Sequence, residues 1–166
     1  MSSPTAPLLR TYRSLTRFPL VGPALGKRVF SVAVWLKAPY FRTVRPWFED
    51  LDTGRGVVAM RNRWGVHNHL GTVHAIASCN LAEVAAGITT EVSVPPTHRW
   101  IPKGMTVSYL AVARTRVRAT ATVPDLSGLA ADQSREVVVP VELTTADGTV
   151  YVHADITMWV SPKPAR

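Results

Sequence analysis

Three of the five histidines in this 166-residue chain lie within eight positions of one another, at His67, His69 and His74. They belong to the stretch HNHLGTVHAIASCNLAEV, which begins as a polar loop and continues as an Ala-rich helix with one carboxylate, Glu83. Imidazole and carboxylate groups are the common ligands of metals and the common acids and bases of enzymes. The stretch therefore predicts a metal site, a catalytic site or a well-capped buried helix.

The spacing of these residues argues against a metal site. His67 and His69 would face the same way on a strand, and His74 and Glu83 could add ligands. However, the sequence has no HxxxH, HExxH or CxxC spacing, and Cys79 is its single cysteine. We therefore predict no metal ion and no internal disulfide, and we expect Cys79 to be a small buried hydrophobic residue.

A second pattern starts at Asn68, continues with Gly71, Thr72 and His74, and ends at Glu83, nine positions after the histidine. This pattern resembles that of the PaaI-like acyl-CoA thioesterases of the hotdog fold. In those enzymes an Asn and a Gly-Thr/Ser-x-His-Gly-Gly segment lead into the central helix, and an Asp or Glu follows nine residues later. The chain resembles still more closely a hotdog family of unassigned function, through APYF at 38–41 and NHLGTVHA at 68–75.

The resemblance implies hydrolysis of a thioester carried by coenzyme A or an acyl carrier protein, with no cofactor beyond the coenzyme A of the substrate. Glu83 would be the general base or nucleophile, and Asn68 and His74 would position the thioester. The amide of Ala75 would stabilise the oxyanion. A helix N-terminus suits that last role, because it presents unpaired N–H groups and a partial positive charge.

The residues after His74 depart from the family pattern. Ala75 and Ile76 stand where the relatives have Gly-Gly, and the β-branched Ile76 would narrow the entrance for an acyl group. This departure favours an alternative function, a non-catalytic hotdog module that binds fatty acid or acyl-CoA. Glu83 and Asn68 together favour the enzyme.

Substrate-binding residues are predicted at two places. The resemblance assigns Gly71 and Thr72 to the loop around the thioester. Arg114, Arg116 and Arg118 alternate along a predicted strand, so their side chains would share one face and could hold the phosphates of coenzyme A. The alternative for these arginines is a solvated sheet edge.

The spacing between His74 and Glu83 predicts a dimer. Nine helical residues rise ~13 Å and place the two side chains on opposite sides of the helix. One helix cannot direct both at a single carbonyl, so a second chain must supply one of them. The resemblance implies the same arrangement, a homodimer with two equivalent sites and a continuous sheet, which could pair further into a tetramer.

Basic residues are concentrated in the N-terminal third. The net charge is +8, and residues 1–63 account for the whole excess. Such a segment suits phosphate groups or an anionic membrane surface, and a helix around Phe30 and Val34 could make peripheral membrane contact or pack on the domain. We predict a cytoplasmic protein that binds no nucleic acid, because signal-peptide, helix-turn-helix and single-strand-binding patterns are missing.

The hydrophobic pattern predicts an α+β fold. The expected order is a helix at about 26–38, an extended segment at 40–51, a strand at 56–66, a main helix at 71–87 that ends at Gly87, a Pro-rich loop at 95–104, and four strands within 105–160. Pro140 inside one strand argues for an edge or a bulge. Since Glu83 is the one Asp, Glu, Lys or Arg between 67 and 90, we expect the main helix to be buried nearly all round, with Glu83 buried or half-buried.

These elements match the hotdog fold that the resemblance implies, a curved antiparallel sheet wrapped around one central helix. We divide the chain into a helical basic arm at 1–37, a hotdog domain at 38–162 and a tail at 163–166. The resemblance covers residues 38–162, so the arm lies outside the thioesterase pattern.

Overall fold

Two helices, two strands, a third helix and four more strands follow one another along the computed structural model, which describes residues 6–17 and 22–164. Its helices are α1 (Pro7–Arg17), α2 (Gly22–Lys37) and α3 (Ala75–Ser93). Its strands are β1 (Trp47–Asp52), β2 (Arg55–Met60), β3 (His98–Tyr109), β4 (Val117–Thr122), β5 (Arg135–Thr144) and β6 (Val150–Pro162). Short 3₁₀ segments lie at Pro39–Thr43 and Trp64–Val66. None of the helices in the described ranges is both long and apolar enough to cross a membrane.

All six strands join one antiparallel sheet in the order β1-β2-β4-β5-β6-β3. Two tight hairpins, with glycines of positive φ at Gly54 (+80°) and Gly148 (+89°), connect β1 to β2 and β5 to β6. β3 follows α3 in the chain but lies at the far edge of the sheet, beside β6. The chain must therefore cross the sheet between β2 and β3, and α3 makes that crossing in contact with all six strands.

The core lies between α3 and the concave face of the sheet. Along β5 every second residue is buried, and this period-2 pattern places Val137, Val139, Val141 and Leu143 on the inner face. α3 contributes small residues and a few larger ones, so that it lies close to the strands. At Gly56 a Cβ atom would lie 2.1 Å from the Thr89 hydroxyl oxygen, so this close approach requires glycine.

The N-terminal helices belong to the same core. Tyr12 of α1 contacts Phe30 of α2 edge to face at 5.0 Å between ring centroids, and Phe30 contacts Phe48 of β1 in the same way at 5.1 Å. Leu9 and Val34 are buried in the cluster that also contains α3. α2 begins at Gly22, four residues earlier than the sequence pattern predicts.

The two edges of the sheet differ. Polar side chains of α2 lie against the outer edge of β1: Ser31 accepts from the Phe48 amide at 3.1 Å, and Lys27 donates to the Glu49 carbonyl. Next to them, the Trp35 indole donates to the Pro46 carbonyl at 2.9 Å. No strand of the described residues pairs with the outer side of β3. One edge is thus covered by the chain itself, whereas the other is open to pairing.

Several predicted boundaries are wrong. The Pro-rich stretch 95–104 is largely strand, because Pro102 pairs with Met158 at the sheet edge, where proline is tolerated. α3 does not end at Gly87 but continues to Ser93. The glycine serves packing instead of ending the helix, because its missing side chain leaves room for the Trp100 ring. Residues 39–43 form a 3₁₀ turn where an extended segment was predicted.

The predicted strand 56–66 stops at Met60, and a 3₁₀ turn at Trp64–Val66 replaces its last residues. Pro140 lies in β5 beyond the residues that pair with β4, where β5 has a partner on one side, β6. The expectation of a local edge at Pro140 therefore agrees with the structure.

Candidate active site

The segment between β2 and α3 folds back on itself as a closed loop. His67 and Val73 form an isolated antiparallel bridge, and the His74 amide donates to the Val66 carbonyl at 2.8 Å. The Val73 amide donates to the Ala113 carbonyl at 3.0 Å, which ties the loop to the segment before β4. These backbone contacts fix the point at which α3 begins.

Asn68 holds the inside of this loop together. Its Oδ1 accepts hydrogen bonds from the amides of Leu70 (3.0 Å) and Thr72 (3.1 Å), and its Nδ2 donates to the Thr72 hydroxyl at 2.8 Å. Gly71 supplies the turn with φ +70°. Because both lone pairs of Oδ1 are occupied, what Asn68 can offer a substrate is its second Nδ2 hydrogen.

His74 is the N-cap of α3. Its backbone is extended, its Nδ1 accepts from the Ile76 amide at 3.0 Å, and its carbonyl accepts from the Ser78 amide at 3.1 Å. This geometry agrees with the well-capped helix that was one of the three interpretations of the stretch. With Nδ1 accepting, a neutral ring carries its hydrogen on Nε2, so Nε2 of this exposed residue is a donor.

Ala75 presents an unpaired amide beside this cap. Ala75 is exposed, and none of the backbone or side-chain acceptors in residues 6–17 and 22–164 bonds its N–H. The neighbouring Ile76 amide, in contrast, already bonds His74. The first turn of α3 contains no acidic residue. The partial positive charge of the helix N-terminus is therefore available to an anionic oxygen at Ala75.

Glu83 lies further along α3, on a stripe that it shares with Ile76 and Cys79. The side chain of Ile76 is 57% exposed, and those of Cys79 and Glu83 are half-buried, so the prediction of a helix buried nearly all round is wrong along this stripe. Glu83 forms no ion pair with a basic side chain of the described residues. The sheet covers the opposite side of α3 and leaves this carboxylate facing outward.

Cys79 has a partner on β3. Its Sγ lies 3.1 Å from the hydroxyl of Tyr109, and this hydrogen bond, together with burial, raises the pKa of Tyr109 to about 12. The expectation of a buried Cys79 is wrong, because its side chain is half-buried. Tyr109 was not singled out by the sequence, because it reaches α3 from a strand 30 positions away.

One chain brings together Asn68, Gly71, Thr72, His74 and Ala75, all in the loop and the first turn of α3. It does not bring Glu83 to them. About two helical turns separate Glu83 from Ala75, on a single unbroken α-helix. The single chain therefore holds the two halves of the predicted site at separate places.

The three arginines predicted to hold phosphates are divided. Arg116 and Arg118 both bond the carboxylate of Glu49 on β1, the latter at 2.6 Å through its Nε. Arg114 lies before β4, and its carbonyl accepts from the Asn62 side chain at 2.6 Å. The prediction of one strand face with three arginines is wrong, since β4 begins at Val117.

Of the four remaining histidines, His69 is exposed and the other three have side-chain contacts. His67 bonds the Asn62 side chain at 2.5 Å, and the buried His98 bonds the Gln133 carbonyl at 3.0 Å. His153 lies 3.5 Å from Asp155. The described residues contain no group of three His, Cys, Asp or Glu side chains placed to hold a metal ion.

Comparison with solved structures identifies the class of fold. A structural genomics crystal structure of 43% identity covers 93% of this chain, is itself covered to 99%, and superposes with a TM-score of 0.74. A thioesterase from Haemophilus influenzae (14% identity, 74% of this chain and 82% of that chain, TM-score 0.65) has the same fold. A Pseudomonas aeruginosa protein of unknown function, described as a probable thioesterase, also has this fold (18% identity, 98% of this chain and 100% of that chain, TM-score 0.72). The predicted hotdog fold is confirmed.

The family follows from the sequence comparison. The family described as a domain of unknown function, DUF4442, matches residues 26–160. This chain therefore belongs to the DUF4442 family, and the predicted membership of a hotdog family of unassigned function is confirmed. No curated protein matches the sequence.

Proposed function

We propose that this protein hydrolyses acyl thioesters of the coenzyme A type at a site formed by two copies of the chain. The observation that carries the proposal is the unpaired, exposed Ala75 amide at the N-terminus of α3, beside Asn68 and His74. Glu83, on the uncovered stripe of the same helix, supplies the carboxylate from the partner chain.

The chemistry follows from these groups. The thioester oxygen binds at the Ala75 amide and the remaining Asn68 N–H, which stabilise the negative charge that develops during attack. The partner's Glu83 takes a proton from water, whose oxygen attacks the carbonyl carbon. The tetrahedral intermediate then expels the thiolate, which receives a proton from Glu83, so that the products are a carboxylic acid and a free thiol. In the nucleophilic alternative, Glu83 attacks the carbonyl directly and water hydrolyses the resulting anhydride.

The edges of the sheet support the proposed dimer. α2 covers β1, so the open edge of β3 is the place where a second chain can extend the sheet. Apolar side chains are exposed on β3 and just after it, at Ile101, Tyr109, Leu110 and Val112. Pairing of two β3 strands about a two-fold axis would cover these side chains and place the Glu83 stripes near the partner's loops.

Two comparisons support the assignment of residues and reaction. Hotdog neighbours from Haemophilus influenzae and Pseudomonas aeruginosa are described as thioesterases. A thioesterase from Staphylococcus aureus has been crystallised with a glutamine replaced by alanine and, separately, with a glutamate replaced by alanine, 15 positions apart. Asn68 and Glu83 are separated by the same 15 positions.

One observation favours a second candidate function, binding of an acyl chain without hydrolysis. Ile76, which stands where the thioesterase pattern has glycine, is 57% exposed directly beside the Ala75 amide. Its side chain would crowd an acyl group bound there.

Thiol release from a panel of short, long and aromatic acyl-CoA substrates tests the reaction. We expect Glu83→Gln to lower turnover about 100-fold or more with unchanged stability, because it removes the proton acceptor. Glu91→Gln is the matched control, since Glu91 lies on the same helix and an amide oxygen can still accept from the Trp100 indole. Stoichiometric acyl-CoA binding without hydrolysis of any substrate would contradict the enzyme and favour the binding module.

Mixed dimers test whether the site is shared. Glu83→Ala and Asn68→Ala should each be inactive alone. When the two variants are unfolded together and refolded, a mixed dimer regains one intact site, so a random mixture should recover about a quarter of the wild-type activity. No recovery from a mixture that contains mixed dimers would place Glu83 and Asn68 of the same chain in one site.

A further inference from the structure

A cavity of about 830 Å³ lies between α2 and the sheet, away from the Glu83 stripe. Its walls come from α2, from the segment after the first 3₁₀ turn, and from the ends of β1 and β2. Five arginines line it, at Arg28, Arg45, Arg61, Arg63 and Arg116. A cavity of this size suits a small-molecule ligand rather than a single ion.

These positive charges are poorly balanced. Among the described residues, Glu49 is the carboxylate that approaches the group, and it is shared by Arg116 and Arg118. Arg28, Arg45 and Arg61 form no ion pair with any carboxylate in the described ranges. Guanidinium groups gathered in one concave site attract phosphate or carboxylate groups, which they bind through paired N–H donors.

Arg45 occupies its place at an energetic cost. Its φ is +48°, the one non-glycine residue with positive φ in the described parts of the chain, and it is followed by Pro46. A left-handed conformation is unfavourable for a residue other than glycine and is concentrated at functional sites. Glycine or asparagine would relieve this strain but would lose the guanidinium.

Arg63 is held close to Arg45. Its guanidinium donates to the Thr43 carbonyl, and burial together with the charge of Arg45 lowers its pKa. Two like charges kept together in this way repel each other, and a bound anion between them would remove the repulsion.

Two tryptophans contribute apolar surface to the cavity. Trp35 of α2 is fixed by the hydrogen bond from its indole to the Pro46 carbonyl, and Trp47 of β1 lines the same cavity. Indole faces bind planar rings as well as apolar groups. The site therefore combines several anion-binding groups with a surface for a ring.

We propose that this cavity binds a ligand with two or more phosphate groups attached to a planar ring system, as in a nucleoside bisphosphate. Such a group is present both in free nucleotides and at the nucleotide end of coenzyme A. The binding proposal stands independently of the proposed hydrolysis. Asn62 lines the cavity and bonds His67, so a hydrogen bond connects the cavity to the loop that contains Asn68.

Calorimetric titration with adenosine 3′,5′-bisphosphate, inorganic pyrophosphate and adenosine tests the proposal. We expect the bisphosphate to bind more tightly than pyrophosphate and adenosine not to bind, with affinity that falls as salt rises. The double variant Arg45→Gln, Arg61→Gln should weaken binding of the bisphosphate at least tenfold. The matched control is Arg135→Gln, which removes an exposed arginine at the start of β5.

Equal affinity of the wild type and the double variant, or no binding of either phosphate compound, would overturn the proposal. Titration with coenzyme A then identifies the source of the ligand. If the nucleotide end of coenzyme A binds in the cavity, the double variant should bind coenzyme A tenfold more weakly. Its KM for thioesters should then rise while kcat stays unchanged. If the ligand is a free nucleotide, the double variant should bind the bisphosphate more weakly but coenzyme A with unchanged affinity. Both readouts of binding remain valid if no thioester is hydrolysed.

Discussion

The hydroxyl oxygen of Ser31 on α2 accepts a hydrogen bond from the buried amide of Phe48 on β1 at 3.1 Å, and Ser31 donates in turn to the Lys27 carbonyl at 2.8 Å. A helix residue thereby takes the position that a neighbouring strand would occupy. This contact closes the β1 edge of the sheet and directs intermolecular pairing to β3 at the other edge.

Replacing Ser31 by alanine should lower the free energy of unfolding by about 1–3 kcal/mol, because the buried Phe48 amide loses its acceptor. The measurement is urea denaturation followed by circular dichroism. Ser14→Ala, at an exposed position of α1, serves as the control and should change stability little. Equal stability of the two variants would show that the Ser31 contact does not hold α2 on β1.

Capping and catalysis by His74 can be separated. His74→Ala should lower the free energy of unfolding by about 1 kcal/mol, because the Ile76 amide loses its acceptor. His74→Asn restores a capping oxygen and should recover most of that stability. If the ring also positions the thioester, both variants lose turnover. Full activity of His74→Asn would limit His74 to the cap.

The raised pKa of Tyr151 predicts that the protein loses stability at alkaline pH. Burial raises its pKa to about 12, against a smaller opposing effect of its hydrogen bond with Ser78. Between pH 10 and about 12 the unfolded chain releases this proton while the folded chain keeps it, so the free energy of unfolding falls as pH rises. The contribution is about 2–3 kcal/mol, complete below pH 10 and lost across that interval.

The variant Tyr151→Phe isolates this effect. Its free energy of unfolding should fall less steeply than that of the wild type across the same alkaline interval, as followed by urea denaturation at each pH. Parallel curves for the two proteins would exclude Tyr151 as a source of alkaline instability.

The proposed dimer predicts a charge-sensitive edge at β3. Replacing the exposed Ile101 and Leu110 by lysine should produce folded monomers, because four new like charges meet across the two-fold axis. Sedimentation equilibrium measures the mass. Val138→Lys, at an exposed apolar position on β5, is the control and should leave the dimer intact. Dimers of unchanged stability in the double variant would move the interface away from β3.

Much of the candidate site follows from the sequence because it is local. The side chains of Asn68 and His74 bond groups no more than four positions away, and Gly71 supplies the turn, so their types and spacing suffice to predict a capped helix start. The separation of Glu83 from His74 follows from helix geometry alone. The alternation of buried residues in β5 is local in the same sense.

Tertiary structure decided the features that depend on residues distant in the chain. α3 passes Gly87 because the ring of Trp100 fills the space there, and the stretch with Pro102 becomes a strand because β6 lies beside it. Arg45 and Arg61 face one cavity only once α2 packs against β1. Periodicity and capping depend on interactions between residues close together in the chain, so the sequence predicts them. The open β3 edge and the arginine cavity arise from packing between distant segments, which no local pattern predicts.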